Sequence, residues 1–143
     1  MKVSDVMSRN LKTTRPEKTI REAAKIMNRY RIGSLVVVSG VSLSGIITER
    51  DILKAFASGM APGTKVEDVM ASGVVTVGPD ESLQKAAELM SRNGIKRLPV
   101  AESGQCVGMV TVTDLILRQK KFLSELRPLL SRKRKTLDRE KKR

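Results

Sequence analysis

The chain contains one internal repeat, and this repeat constrains its fold more than any other feature. Residues 2–53 align without a gap on residues 65–116 at a constant offset, so that Val3 matches Val66 and Met27 matches Met90. A period this long that occurs only twice is typical of a tandem domain pair with a shared core rather than of a solenoid. Two related halves also leave a pair of equivalent clefts between them, and such clefts are favoured ligand sites.

The composition argues against an enzyme. The 143-residue chain has no His, which removes the most common general base and the most common metal ligand at neutral pH. Its single Cys106 aligns with Leu43 in an apolar strand pattern, so it is predicted to be a small buried residue rather than a reactive thiol. The sequence contains no P-loop and no recognisable pair of catalytic carboxylates. We therefore expect no catalysis, no bound metal and no catalytic cofactor.

Charge and hydropathy predict a soluble protein of the cytoplasm with a basic tail. The N-terminus is polar within four residues, and apolar runs such as residues 35–38 are far too short to cross a bilayer. The formal net charge is +13, and residues 118–143 hold twelve Lys and Arg against three acidic residues. The rest of the chain is therefore close to balanced, and the C-terminal extension carries most of the basicity.

Each repeat has the same predicted order of elements, β-α-β-β-α. An opening segment leads into a short strand near residues 12–14 or 74–77, and apolar spacing predicts helices over residues 20–30 and 83–93. Thr19 and Ser82 are the expected N-caps, and only Thr19 has an acidic partner, Glu22, for a capping box. Glycine-containing loops then join two strands ahead of a second helix. This order predicts an α+β fold with repeat 1 in residues 1–60, repeat 2 in 61–120 and a basic extension, helical or flexible, in 121–143.

A threonine and an aspartate begin the second helix of each repeat. The pattern is glycine, two apolar residues, threonine, two residues and aspartate, at residues 45–51 and 108–114. The hydroxyls of Thr48 and Thr111, with the free N–H groups of the helix start, can hold a phosphate. One turn later, the carboxylates of Asp51 and Asp114 can accept hydrogen bonds from both hydroxyls of a ribose. The same pattern also works as a capping pair with no ligand, and capping does not exclude ligand contact.

Two adjacent cations, Lys96 and Arg97, lie where the middle strand of repeat 2 begins. Neighbouring strand residues point to opposite faces, so at least one of the two can face the cleft. Arg offers a planar fork that matches phosphate oxygens, and Lys offers a mobile point charge. The alternative is a pair of solvated surface cations. Repeat 1 has Gly33 and Ser34 at these positions.

Taken together, these residues resemble the cystathionine-β-synthase (CBS) domain pair, also called a Bateman module. The resemblance covers residues 2 to about 117 and includes the opening V-x-D-V-M, the T-x-x-P turn, the amphipathic helix, the I-K-R-L-P-V strand and both G-h-h-T-x-x-D elements, where h is apolar. It implies two repeats packed sheet to sheet with pseudo-twofold symmetry, and a homodimer.

The resemblance also implies adenosine ligands in the clefts, namely AMP, ADP, ATP or S-adenosylmethionine, that act as regulators rather than substrates. The positions it assigns to the ligand are Thr48, Asp51, Thr111 and Asp114 for the ribose and its phosphate side, and Lys96 and Arg97 for phosphate. Val75 and Met109 are expected to enclose the base. Because repeat 1 lacks the cation pair, its site is expected to be weaker, empty or differently selective. The leading hypothesis is a module that senses an adenine nucleotide and passes the bound state to an unknown partner.

The C-terminal extension predicts a helix that packs on the module or on a dimer partner. Phe122, Leu126 and Leu129 are spaced for one helical face, although Pro128 is expected to break or restart the helix. The alternative function is nucleic-acid binding through the tail, with the repeats as a dimer scaffold. The candidate residues are Arg132, Lys133, Arg134 and Lys135. No aromatic residue follows Phe122, which argues against base stacking by this tail.

Overall fold

Two α+β halves share one sheet. The computed structural model describes the backbone of residues 1–141 and the side chains of residues 1–130. Within these residues the elements are β1 Thr13–Thr14, α1 Ile20–Tyr30, β2 Ser34–Ser39, β3 Ser42–Thr48, α2 Glu49–Ala57, α3 Leu83–Asn93, β4 Arg97–Glu102, β5 Gln105–Thr111 and α4 Val112–Lys141. The strand order is β1-β2-β3-β5-β4, and the halves join where Ser42 of β3 pairs with Gln105 of β5. The predicted α+β class is confirmed.

Helices α1 and α3 begin at the predicted residues, where side chains cap the first turn. The N–H of Glu22 donates to Thr19 Oγ1 at 3.1 Å, and the N–H of Thr19 donates back to Glu22 Oε2 at 3.3 Å. Ser82 Oγ accepts from the N–H of Lys85 at 3.0 Å, and α3 has only this half of the box. The predicted difference between the two helix starts is therefore confirmed.

The opening segments are exchanged between the halves. The N–H of Val3 donates to the carbonyl of Glu81 at 2.8 Å, and Val3 is fully buried in the core of repeat 2. The N–H of Val66 donates to the carbonyl of Lys18 at 2.7 Å, and Val66 is fully buried in the core of repeat 1. The sequence pattern grouped each opening segment with the repeat that follows it in the chain. In the structure each one completes the core of the other repeat.

A glycine in β3 and another in β5 let these segments approach the sheet. Residues 8 and 71 bridge to Met109 and Ile46 respectively. A Cβ on Gly45 would lie 2.5 Å from the carbonyl oxygen of Ala71, and a Cβ on Gly108 would lie 2.6 Å from the sulfur of Met7. The space of a side chain is therefore taken at Gly45 by the backbone of Ala71, and at Gly108 by the Met7 side chain together with the carbonyl oxygen of Ser8 at 3.0 Å.

The predicted opening strand of repeat 2 does not form as a strand. Residues 74–77 make only an isolated bridge, Val77 with Val100. The carbonyl of Pro99 accepts from the N–H of Val77 at 3.1 Å, so the nitrogen of Pro99 faces the same side, where it has no hydrogen to donate. Val36 is the residue equivalent to Pro99 in repeat 1, and there β1 pairs with β2. Proline thus shortens the pairing in one half only.

Helix α4 runs through Pro128, so the predicted break there is wrong. Proline removes the hydrogen bond to the carbonyl four residues earlier, and that residue, Ser124, is exposed, so its carbonyl is open to water. The apolar side chains of this stretch stay largely exposed, since Phe122 is 58% exposed and Leu130 is 63% exposed, although Phe122 borders a depression with Leu83 of α3. In the described part of the chain no helix is long and apolar enough to cross a membrane.

Candidate functional site

A cleft of about 340 Å³ lies between the two repeats. Repeat 1 supplies the segment after its opening turn and the start of β2, and repeat 2 supplies the start of β4 and the end of β5. The side chains of the cleft that carry charge, hydroxyl or apolar surface include Ser8, Asn10, Lys12, Arg31, Ser34, Arg97, Met109 and Thr111. It is therefore a mixed polar and apolar site with contributions from both halves.

Arg97 extends from repeat 2 towards repeat 1. It is paired with Thr111 across β4 and β5, so the two residues reach the cleft from neighbouring strands. Its Nη2 lies 3.5 Å from the position that a Cβ on Gly33 would take. Because Gly33 has no side chain, the guanidinium can lie over the backbone of the opposite repeat.

Two further cations, Lys12 and Arg31, line the same cleft from repeat 1. Arg31 ends α1 in the left-handed conformation at φ 53°, a conformation that favours glycine, and repeat 2 has Gly94 at the equivalent position with φ 61°. Neither cation was among the residues predicted for the site from the sequence. The available signal was that repeat 1 keeps an arginine at a position where its twin has glycine.

The threonine–aspartate pairs form complete capping boxes at the starts of α2 and α4. The N–H of Thr111 donates to Asp114 Oδ2 at 2.9 Å, and the N–H of Asp114 donates to Thr111 Oγ1 at 3.2 Å. Thr48 and Asp51 make the same two bonds at 2.9 and 3.2 Å. The capping interpretation is confirmed. The second oxygen of each half-buried carboxylate accepts no hydrogen bond from the residues with described side chains.

The structure brings only three of the eight predicted ligand residues, Arg97, Met109 and Thr111, to the lining of this cleft. Lys96 is exposed outside it, and Val75 packs against the core of repeat 2. Asp51 lines a separate depression of about 200 Å³. Thr48 and Asp114 line neither, and the other candidate set, Arg132, Lys133, Arg134 and Lys135, lies outside the residues whose side chains are described.

The repeat offset explains this separation. The cleft residues Lys12, Gly33 and Thr111 correspond in the alignment to Val75, Lys96 and Thr48. The predicted set therefore combined residues from two equivalent positions, one on each side of the pseudo-twofold axis. Sequence repetition identifies equivalent residues, but it does not say which repeat each of them faces.

Cys106 and the acidic residues give no sign of chemistry. The thiol of Cys106 is half-buried rather than fully buried as predicted, and burial raises its pKa. Its S–H donates weakly to the carbonyl of Gly108 at 3.5 Å. A raised pKa lowers the thiolate fraction at neutral pH. Among the residues with described side chains, no three or more acidic or sulfur groups are arranged to hold a metal ion.

Comparison with known proteins identifies the two halves. The family model described as "CBS domain" matches residues 3–58 and 66–121. The CBS domain-containing protein YhcV of Bacillus subtilis is 37% identical over 118 residues, which cover 82% of this chain and 84% of YhcV. The inosine-5'-monophosphate dehydrogenase of Korarchaeum cryptofilum is 37% identical over 112 residues, but these cover only 23% of that protein.

A solved structure gives the same result for the fold. The CBS domain pair of protein MJ0100, in complex with 5'-methylthioadenosine and S-adenosyl-L-methionine, superposes with a TM-score of 0.74 at 34% identity. The match covers 80% of this chain and 96% of that one. In that protein, the pair is therefore seen with two adenosine-containing ligands.

Proposed function

Because the chain belongs to the CBS domain family, with two CBS domains in tandem, we propose that it is a cytoplasmic regulatory module that binds an adenine nucleotide between its repeats. CBS pairs are typically regulatory modules for adenosine-containing ligands rather than enzymes. The observation that carries the proposal is the convergence of three cations from both repeats, Lys12, Arg31 and Arg97, on one cleft of about 340 Å³. That volume is within the range of small-molecule sites.

The three cations favour a phosphorylated ligand. Arg97 and Arg31 offer planar forks for phosphate oxygens, and Lys12 offers a point charge on the same wall. Thr111 adds a hydroxyl at the helix start, where free N–H groups favour an anion. Asp114 lies outside the lining of the cleft and holds Thr111 in place through the capping box; we assign its second carboxylate oxygen to a ribose hydroxyl of a ligand that extends past this helix start. Met109, a mostly buried residue of the cleft lining, supplies apolar surface for the base.

The equivalent positions on the other side form a weaker second site in this proposal. There, Val75 and Gly94 replace Lys12 and Arg31, and Lys96 is the cation that remains beside Thr48 and Asp51. This side favours a ligand with less charge. Binding at either site would change the relative orientation of the repeats, as a shift between existing states. A homodimer partner or another regulated protein would read that orientation.

Calorimetry with Arg97→Ala tests the assignment of the phosphate. The wild type should bind AMP, ADP or ATP at least tenfold more tightly than adenosine, since phosphate contacts are available only to the nucleotides. Arg97→Ala should weaken AMP binding by about tenfold, equivalent to about 1.4 kcal/mol, and leave adenosine binding unchanged. Lys120→Ala, which removes an exposed charge of α4, is the matched control. Equal affinity of the wild type for adenosine and AMP would reject the proposal.

A further inference from the structure

A groove continues from the cleft along the outer side of repeat 1. It consists of two adjoining depressions between β1 and α1, of about 430 and 350 Å³. Lys12 lines both the cleft and the first depression, and Thr13 and Lys25 line both depressions. The cations along it, here called the basic groove, are Lys12, Arg15, Lys18, Lys25 and Arg29.

These cations have no acidic partners. Among residues 1–130 the only ion pair within 4.0 Å is Lys2 with Asp80, outside the groove. Glu22 is the one carboxylate that lines the groove, and its Oε2 already accepts from the N–H of Thr19. An uncompensated row of like charges beside a concave wall produces a positive potential that attracts an extended anion.

Two of the groove cations lie close to the aromatic ring of Tyr30. Lys12 Nζ lies 4.4 Å from the centroid of this ring, and the Cζ atom of Arg29 lies 5.5 Å from it. The electron-rich ring offsets part of the repulsion between the two cations. Tyr30 is 44% exposed, so an anion can reach both cations and the ring from solvent.

Repeat 2 shows that the fold does not need this charge. Its equivalent residues build the same helix, α3, beside the same turn. The positions equivalent to Lys12, Arg15, Lys18 and Lys25 hold Val75, Gly78, Glu81 and Glu88. Four of the five cations thus correspond to two neutral and two acidic residues, and only Arg29 has a cation, Arg92, at its equivalent position, so the row of positive charge belongs to repeat 1.

Thr14 is a further difference between the repeats in the same place. Its side chain is only 5% exposed, and Oγ1 has no hydrogen-bond partner among the described residues. It lines the outer depression of the groove, beside Arg15 and Lys18. Repeat 2 has the near-isosteric Val77 here, which fills the same space with no polar atom to satisfy. A lone buried hydroxyl is costly, so Thr14 makes this position polar in repeat 1 at the expense of stability.

We infer that the basic groove binds the backbone of a single-stranded nucleic acid. Where the inner end of the groove meets the cleft, this inference rests on the proposed nucleotide function. Along the remainder of the groove it does not depend on that function. The groove follows α1 from Glu22 to Tyr30, roughly 12 Å at 1.5 Å per residue, which exceeds what the phosphates of one mononucleotide can occupy. A positive groove with an exposed aromatic residue is the usual arrangement for single strands. Depressions of this size admit single nucleotides rather than a duplex.

Fluorescence anisotropy of labelled single strands tests this inference. Oligouridylate and oligodeoxythymidylate of roughly twelve nucleotides are titrated with the full chain at several salt concentrations. Comparison of the ribose strand with the deoxyribose strand shows whether RNA or DNA is the preferred ligand. The five groove cations and Arg31 predict a slope of log affinity against log salt of about −4, at about −0.7 per phosphate neutralised. The variant Lys18→Glu with Lys25→Glu carries the residues found in repeat 2. It should bind at least tenfold more weakly, with a slope about 1.4 smaller.

Two control variants have the same change in net charge. The first control combines Arg92→Glu with Lys120→Glu, so the lost charge lies on repeat 2 and α4. The second combines Lys133→Glu with Lys135→Glu, so the lost charge lies in the C-terminal extension. Both should stay within about twofold of the wild type. Equal losses in all three variants, or a loss confined to the extension, would overturn the inference. So would equally tight binding of a duplex, or of inorganic polyphosphate with the same number of phosphates.

The result can be separated from the proposed nucleotide function. Lys18 and Lys25 do not line the cleft, so their double variant should bind AMP with wild-type affinity by calorimetry. If AMP does not bind the wild type but the strand does, the cleft assignment fails and the groove assignment stands. If AMP binds and the strand does not, the opposite holds.

Discussion

At the scale of single residues, the differences between the repeats carry the information about function. Both halves share the capping boxes of their second helices, their close-approach glycines and their core valines, so these positions report on the fold. Other positions differ between the halves, and the fold does not require the residue found in repeat 1, because repeat 2 forms without it. These pairs are Thr14 and Val77, Lys12 and Val75, and Arg31 and Gly94. A duplicated chain thus provides its own reference for every residue.

Thr14→Val should raise the free energy of unfolding by about 1 kcal/mol. The change removes a buried hydroxyl that has no partner and copies the residue of repeat 2 with little change in shape. Urea denaturation in the absence of ligand measures it, with the exposed neighbour Thr13→Val as a control that should change little. A clear destabilisation by Thr14→Val would mean that the hydroxyl has a partner in the folded protein.

At the scale of elements, the helix starts were predictable and the lining of the cleft was not. Capping depends on residues three apart, so Thr19 with Glu22 is visible in the sequence. The lining of the cleft depends on how the strands of the two repeats lie relative to each other, which the sequence does not show. The sequence therefore predicts Lys96 and Arg97 for one site, although only Arg97 lines the cleft. The exchange of opening segments was hidden for the same reason, since aligned repeats match however they are paired in space.

Gly45→Ala tests the approach of the opening segment to β3. A methyl group there would meet the carbonyl oxygen of Ala71 at 2.5 Å, and backbone cannot move aside as a flexible side chain does. We expect a loss of about 1–3 kcal/mol in the free energy of unfolding. Gly63→Ala is the control, since nothing lies within 4 Å of its added carbon. Equal effects of the two changes in urea denaturation would contradict this account.

At the scale of the whole molecule, a bound nucleotide should stabilise both halves together, because the cleft has walls from each. With free ligand at a hundredfold excess over Kd, the stabilisation is about 2.7 kcal/mol, which raises Tm by roughly 8 °C for a chain of this size. Calorimetric melting at a fixed protein concentration should show one transition that moves as a unit. Two transitions, of which only one moves with AMP, would place the ligand within a single repeat.

The crossing of the opening segments limits how such a signal can travel. Val3 is anchored in the second half and Val66 in the first, each by a backbone bond of under 3 Å. Pulling the halves apart would therefore uncover a core valine on both sides at once. We expect the two halves to rotate about these two anchors when a ligand binds, rather than to separate. A partner would therefore sense a change in the angle between the halves and not a change in their distance.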